Sequence, residues 1–403
     1  MPARATKRGA ARTPLHRDCD VLVCGASFAG LAVARELEGS GASVLIVDRY
    51  DVGERQTSAC AAPTEWLENL GLAGSIRQTF GDLVFHTPRT TLRFRLPWTF
   101  STFDYRDLCG LLRAQSPSAH FETAKIEGIR AGSAGGGVTP AGTRPGGLTV
   151  GAVHTVRTDR GELRAPLVVD ALGWRRVLGL GSNVQPPEAR LSRGLEVHPW
   201  GTGQDLEIWI DPRYVRAGYS WSFPAHDELR VGVGSFEPRD HVRDPTVRLA
   251  GDLGVDAVRY QGNWIPHRLR PAVEGDVFFV GDSAGHCLPL TAEGIRTAFY
   301  FGLACGRQLR EVVAGRRDRA RALSEYGAFS DGHRRKFESM LGVQHLVGRV
   351  GRRRVMTPAL RLMSHPRFVR WAFEHYLAIA PPSYAHEGGH PLAPARAAVP
   401  TAA

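Results

Sequence analysis

Gly25, Ser27 and Gly30, followed 18 residues later by Asp48, have the types and spacing that hold a nucleotide. Gly25 permits a tight turn out of a strand, a small residue at position 27 lets backbone approach a pyrophosphate, and Gly30 lets a helix lie close to that strand. The start of the helix offers unpaired N–H groups and the positive end of a dipole to phosphates. Asp48 is placed to accept hydrogen bonds from a ribose, where a 2′-phosphate would call for Arg; Arg49 stands beside it. Ser27 occupies the place of the fingerprint's second glycine, so phosphate contact there is tighter but feasible.

A second run, residues 275–295, separates the candidate nucleotides. A strand ending in Gly281-Asp282 puts a carboxylate where it can hold the hydroxyls of a ribityl chain. Pro289 through Gly294 then leads into a helix whose first amides can stabilise negative charge on a reduced flavin. A third turn, Val169-Asp170-Ala171-Leu172-Gly173-Trp174, lies between the two. Together these motifs resemble the FAD-dependent family that joins aromatic hydroxylases of the p-hydroxybenzoate type, flavin halogenases and geranylgeranyl reductases. The resemblance runs over residues 21–294 and implies FAD as cofactor. The cofactor-binding residues expected are Gly25, Ser27, Gly30, Asp48, Arg49, Arg106, Asp170, Gly173, Gly281, Asp282, Pro289 and Gly294. Gly179-Leu180-Gly181 lacks a flanking strand and helix, so a second, tightly held dinucleotide is not expected. The reductant would be transiently docked NAD(P)H or a protein electron donor.

Tyr219-Ser220-Trp221-Ser222-Phe223-Pro224 resembles a motif of the geranylgeranyl reductase branch. Alternate residues of a strand face one side, so Tyr219, Trp221 and Phe223 would form one aromatic wall of a substrate pocket with Pro224 beside it. Such a stripe also suits plain core packing. Cys60, in Thr57–Pro63, stands where those reductases carry a Cys followed by glycines, here replaced by Ala61 and Ala62. The resemblance implies catalytic roles for Tyr219, Trp221 and Cys60, with Tyr219 or Cys60 as proton donor; a buried structural thiol is the other reading of Cys60. Flavin halogenases rely on a lysine after the first β-α-β unit, and none lies between Lys7 and Lys125. His286 could serve a hydroxylase as an acid–base group or be a polar turn residue.

These motifs need elements to position them. Asp20–Cys24 and Ser43–Val47 read as buried strands flanking a helix that includes Leu31–Leu37. Helices are expected over Thr64–Leu70 and Tyr105–Gln115, with an edge strand at Leu92–Leu96. Further strands are expected at Leu148–Thr155, Leu163–Ala171, Leu206–Ile210, Leu229–Val233 and Val277–Val280, and a helix over Gly294–Val313. Residues 131–147, rich in Gly, Pro and Ala, read as a solvated insertion. The fold class expected is α/β: a Rossmann-like FAD-binding domain of the glutathione-reductase type, an inserted antiparallel-sheet substrate domain and C-terminal helices. The FAD-binding domain is expected to be discontinuous, over 18–90, 148–185 and 265–315. The substrate domain would take 91–147 and 186–264, and the C-terminal helices 316–378. Residues 1–17 and 379–403 read as disordered tails.

Composition bounds the function. With 403 residues, 43% hydrophobic and 23% charged, the chain is of ordinary globular make-up, neither fibrous nor wholly disordered. Its six cysteines contain no C-x-x-C pair, so neither a zinc site nor a disulfide scaffold is indicated, and no metal is expected. The longest uncharged apolar run, Val21–Ala34, has 14 residues and is interrupted by glycine, too short to span a bilayer. Residues 1–17 lack the apolar core of a signal peptide, which suggests a cytoplasmic protein. The net charge of +11 is concentrated in residues 1–17, with five Arg or Lys and no acid, and in 315–354, with eleven against four acids. Such basic amphipathic helices suit either an anionic membrane surface, on the inner face, or a solvated side of the body. No helix-turn-helix or finger signature points to nucleic acid.

The function expected is FAD-dependent reduction of carbon–carbon double bonds in a prenyl or isoprenoid substrate. The alternatives are an FAD-dependent monooxygenase of an aromatic or polyketide-like molecule, a non-redox flavoprotein of the lycopene-cyclase kind, and a degenerate flavin-binding protein attached to membranes or partners. Oligomeric state is open.

Overall fold

The computed structural model describes residues 13–56, 58–130, 132, 152–180, 191–349 and 356–387. The apolar run before Gly25 forms the strand Val21–Cys24, buried at every residue. It lies inside a six-stranded sheet ordered Val273–Glu274, Val277–Phe279, Leu167–Asp170, Val21–Cys24, Val44–Asp48, His120–Thr123. All pairs are parallel except the first hairpin. Near-continuous apolar strands are what a parallel sheet covered on both faces requires. Helix Phe28–Leu37 returns along it and packs against helix Ile295–Val313. A Cβ on Gly302 would stand 2.7 Å from the Ala29 carbonyl oxygen, and one on Gly306 would stand 2.6 Å from the Glu36 Cβ, so these two glycines set the closeness of the helices. Arg35 is buried there, its charge met by Glu36 at 2.6 Å and its Nε–H by Gln115 at 2.7 Å.

A larger, eight-stranded sheet runs Gln261–Pro266, Leu191–Val197, Glu228–Ser235, Gly218–Ala225, Leu206–Trp209, Ile76–Thr87, Thr90–Phe103, Ala61–Pro63. It is antiparallel except where Leu206–Trp209 lies parallel to Leu83–His86. A third, four-stranded sheet joins Arg17–Asp18, Gly161–Ala165, His154–Thr158 and Ile126–Arg130, and its Leu163 and Val156 enter the same core as the parallel sheet.

Several boundaries differ from those expected. Leu163–Ala171 is not one strand: Pro166, with no N–H to donate, separates Gly161–Ala165 from Leu167–Asp170, and the two halves join different sheets. Strand Ile76–Thr87 belongs with the large sheet, whereas His120–Thr123, expected in the substrate domain, pairs with Leu45–Asp48. Leu92–Leu96 lies within the longer Thr90–Phe103, one edge of which pairs with Ile76–Thr87 along its length while the other is paired only near its far end, by Ala61–Pro63. Residues 13–17, expected in a tail, are packed, with Leu15 buried and Arg17 paired to Leu163. Likewise Ile379, Ala380 and Ala385 are buried, and Trp66 Nε1 donates to the Ala380 carbonyl at 3.0 Å, so packing continues to residue 387. Residues 1–12 and 388–403, and the expected insertion apart from residue 132, lie outside the described residues.

Helices Arg319–Asp331, Arg334–Arg349, Met356–Met363 and Pro366–Leu377 complete the chain. Asp318 caps the first by accepting from the Arg321 N–H at 2.7 Å. Val369 of the last is buried against Phe94, while Trp371 is 55% exposed. Among the described residues no helix is long and apolar enough to cross a membrane.

Candidate cofactor and substrate site

Three turns leave the carboxyl ends of three neighbouring parallel strands, the place where open α/β sheets bind ligands. In the first, a Cβ on Gly30 would stand 1.9 Å from the Gly25 carbonyl oxygen, and one on Gly25 would stand 2.3 Å from that of Ala171. Gly25 also has φ +114°, so neither position admits a side chain. Ser27 caps the helix, its hydroxyl 3.1 Å from that of the buried Tyr105. Burial pushes Tyr105 up, so its phenol stays protonated. Asp48 Oδ2 accepts from the Ala26 N–H at 2.8 Å and Oδ1 from that of Tyr50 at 3.1 Å. Burial raises the Asp48 pKa despite these bonds. Arg49 is exposed over the Tyr50 ring, and Arg106 is exposed beside the Gly53 turn.

In the second turn, Asp170 is wholly buried. Its Oδ1 accepts from Leu172 N–H at 2.9 Å and the Ser283 hydroxyl at 2.6 Å, and its Oδ2 from Leu178 N–H at 2.8 Å. The carboxylate is thus consumed in tying the second turn to the third, which assigns Asp170 a positioning role. Gly173 follows with φ +78° and open space where a side chain would be.

The third turn holds the contrast. Asp282 is half-buried, and among the described residues no hydrogen-bond donor reaches its carboxylate. Burial pushes its pKa up to about 6, opposed by the charge of Arg270. A half-buried carboxylate without a partner suits a ligand that brings hydroxyl groups. Gly294 closes the same space, its missing Cβ 3.6 Å from Asp282 Oδ1. Between them, Pro289 is buried and Leu290 and Ala292 adopt left-handed φ of +67° and +51°, a strain of about 1–3 kcal/mol each for such residues.

The strand Gly218–Ala225 alternates as expected: Tyr219, Trp221 and Phe223 are half-buried on one face, while Ser220, Ser222 and Pro224 are buried on the other. Pro224 therefore supports the wall from behind. The Trp221 ring lies across the neighbouring strand, where a Cβ on Gly232 would meet its Cζ2 at 2.2 Å. Tyr219 donates its hydroxyl to the Thr291 carbonyl, which brings the wall onto the 289–294 turn. Burial pushes this phenol up and keeps it protonated. Cys60 is fully buried with φ +54°, and its thiol donates to the Ser58 carbonyl at 3.1 Å. Burial raises its pKa well above the ordinary range. The Cys60 carbonyl accepts from Arg230, which lies opposite Phe223 in the sheet, whereas Tyr219 bonds the Thr291 carbonyl, so the two lie toward different ends of the wall. Ala61 and Ala62 cost nothing, because they are extended strand residues. His286 is turned into the core, stacked on Phe301 at 3.7 Å with Nε2 at the Ser330 hydroxyl.

One charged group was invisible in the sequence. Behind Trp221, whose Nε1 donates to Glu196 Oε2 at 3.1 Å, His198 lies between Glu196 at 2.9 Å and Glu228 at 3.3 Å. Arg230 joins Glu228 at 3.3 Å and donates to the Ala59, Cys60 and Phe103 carbonyls. An Arg inside an otherwise apolar strand, and the Glu196-x-His198 pair on the neighbouring strand, were the available signals. All six cysteines are free and buried, and among the described residues no cluster of His, Cys, Asp or Glu could hold a metal ion.

This arrangement, a parallel sheet with a glycine turn joined to an antiparallel sheet whose aromatic wall meets the third turn, is a mixed α/β fold. No family model matches the chain. Digeranylgeranylglycerophospholipid reductase 3 of Methanosphaera stadtmanae is 23% identical over 357 residues, covering 82% of this chain and 87% of that protein. A geranylgeranyl bacteriochlorophyll reductase-like protein of Thermoplasma acidophilum superposes with TM-score 0.75 at 16% identity, covering 92% of this chain and 98% of the other. A probable FAD-dependent monooxygenase of Pseudomonas aeruginosa, PqsL, superposes with TM-score 0.61 at 16% identity, covering 89% and 100%. The chain has their fold and resembles the geranylgeranyl reductase-like branch of the FAD-dependent oxidoreductases.

Burial pushes His198 down, but its bonds and charge pairing with Glu196 and Glu228 prevail and carry it up to about 9. A histidine raised in this way stabilises the fold fully below its ordinary value of about 6.5, and the contribution is lost as pH rises through about 9. Denaturant melts of the wild type and His198→Gln should therefore differ most at pH 6 and converge toward pH 10. A gap constant across that range would contradict the charged pairing.

Proposed function

We propose that the chain is a FAD-dependent reductase of carbon–carbon double bonds in a prenyl or isoprenoid substrate. The observation that carries this reading is the hydrogen bond from Tyr219 to the Thr291 carbonyl, which sets an aromatic wall against the 289–294 turn. The residues present fit FAD: the close packing at Gly25 and Gly30 brings the helix start to the strand end, where a pyrophosphate would lie, and Asp282 offers a carboxylate that no donor among the described residues satisfies. Asp48 would hold the ribose, and Asp282 the ribityl hydroxyls. When bound and reduced, FAD supplies the hydride that a double bond accepts.

Tyr219, Trp221 and Phe223 would bind and orient an apolar chain and exclude water, which strengthens every polar interaction in the pocket. Both proposed proton donors are bonded to a carbonyl, but Tyr219 is half-buried and stands at the turn, whereas Cys60 is fully buried, so Tyr219 is the better placed. The reductant would dock transiently. Peripheral membrane contact is supported by exposed Leu362, Phe368 and Trp371 beside exposed Arg361, Arg367 and Arg370. The relatives whose names specify a glycerophospholipid agree with such a location.

The reaction is tested by anaerobic reduction of the flavin followed by addition of geranylgeranyl diphosphate or a prenyl phospholipid. Flavin reoxidation with a product heavier by two hydrogens per double bond is expected, and Tyr219→Phe should slow it about 10²-fold, the scale of a lost general acid, when measured at saturating FAD because the same hydroxyl also bonds the turn. Oxygen uptake with a product heavier by one oxygen would replace the reductase reading with a monooxygenase. In vesicle flotation, anionic vesicles should carry the protein and neutral ones should not; Trp371→Ala with Arg370→Ala should reduce the bound fraction. Equal flotation with both lipids would contradict the charge-assisted contact.

A further inference from the structure

The 289–294 turn is closed by two backbone bonds of its own, from the Thr291 N–H to the Pro289 carbonyl at 2.8 Å and from the Leu288 N–H to the Glu293 carbonyl at 3.0 Å, and it is also held from outside. Leu290 and Ala292 sit in the left-handed region without being glycine, flanking Thr291. Such a conformation persists where surrounding contacts over-determine it. Tyr219 takes the Thr291 carbonyl from the wall. Further contacts come from the C-terminal helices and from Arg296 at the start of the following helix. Tyr376 donates its hydroxyl to Glu293 Oε2 while its oxygen accepts from the Thr291 hydroxyl at 3.0 Å, and buried Gln344 accepts from the Leu290 N–H at 2.8 Å. Arg296 clamps Glu293 through Nε at 2.8 Å and Nη2 at 2.9 Å while its Nη1 donates to the carbonyls of Tyr376, Leu377 and Ala380. Its guanidinium also lies over the Tyr376 ring, 4.7 Å from the centroid.

From this convergence we infer that Tyr376 and Gln344, on the C-terminal helices, are positioning residues that hold the strained turn in the form that meets the flavin. The inference rests on the proposed cofactor site. The helices that carry them are thus part of the redox site, acting through Thr291 and Leu290 and not by contact with the reacting atoms. Loosening the turn withdraws the amides that favour negative charge on the reduced cofactor, so reduction becomes harder.

The test uses the full chain loaded with FAD. Tyr376→Phe removes only the hydroxyl and keeps the ring over Arg296. It should raise the FAD dissociation constant about 5-fold or more, the effect of one lost hydrogen bond, and move the flavin reduction potential to more negative values. Gln344→Met should do the same. Trp66→Phe, which loses the bond to the Ala380 carbonyl on the other side of the segment, should lower the melting temperature without moving the potential. A Tyr376→Phe protein with wild-type affinity and potential overturns the inference while leaving the cofactor site standing. So does a Trp66→Phe protein whose potential moves as far. A wild-type chain that binds no FAD overturns the cofactor site and the inference together.

Discussion

The buried carboxylate of Asp170 is the constraint on which the rest of the site depends. It stands at the end of a central parallel strand with no exposure to water, and a charge in that position is tolerable only when each oxygen is bonded. Its three donors come from the backbone of its own turn, at Leu172 and Leu178, and from Ser283 of the third turn. The Ala171 N–H meanwhile bonds the Cys24 carbonyl at 2.7 Å, immediately before Gly25. Through these few bonds the three strand ends are locked in register. Two geometric consequences follow: Gly25 and Gly30 pack the helix start tightly onto the strand end, and the Asp282 carboxylate is left without a donor among the described residues.

The second half of the site is held differently. The aromatic wall is fixed by the glycine under Trp221 and by the carboxylate, imidazole and guanidinium ladder behind it, which also grips the Ala59 and Cys60 carbonyls. Charge inside the sheet thus couples the wall to the Cys60 segment, and the Tyr219 hydroxyl couples it to the 289–294 turn. The aromatic wall and the strand-end turns are one mechanical unit although their strands belong to separate sheets.

Local features were legible in the sequence. The Gly25, Ser27, Gly30 and Asp48 spacing, the paired turn acids Asp170 and Asp282, and the alternation of Tyr219, Trp221 and Phe223 each express rules that act over a few residues. What escaped was set by contacts between distant segments. The strand break at Pro166 was hidden by apolar residues on both sides, since a continuous run does not say which sheet each half joins. The packing of Leu15 and of residues 379–387 depends on partners such as Leu163 and Trp66 that no local pattern announces. Tyr376 lies 85 residues beyond Thr291, and His198 is distinguished from a surface histidine only by the two glutamates that fold around it.

The central claim is that the three strand-end turns form a FAD site. Titrating FAD into the purified chain while following quenching of flavin fluorescence tests it most directly, with Gly30→Val as the comparison because its Cβ would collide with the Gly25 carbonyl. The account predicts saturable binding to the wild type and none to the variant, whose fold is checked by circular dichroism. Absence of binding to the wild type, or equal binding to a folded Gly30→Val, would contradict it.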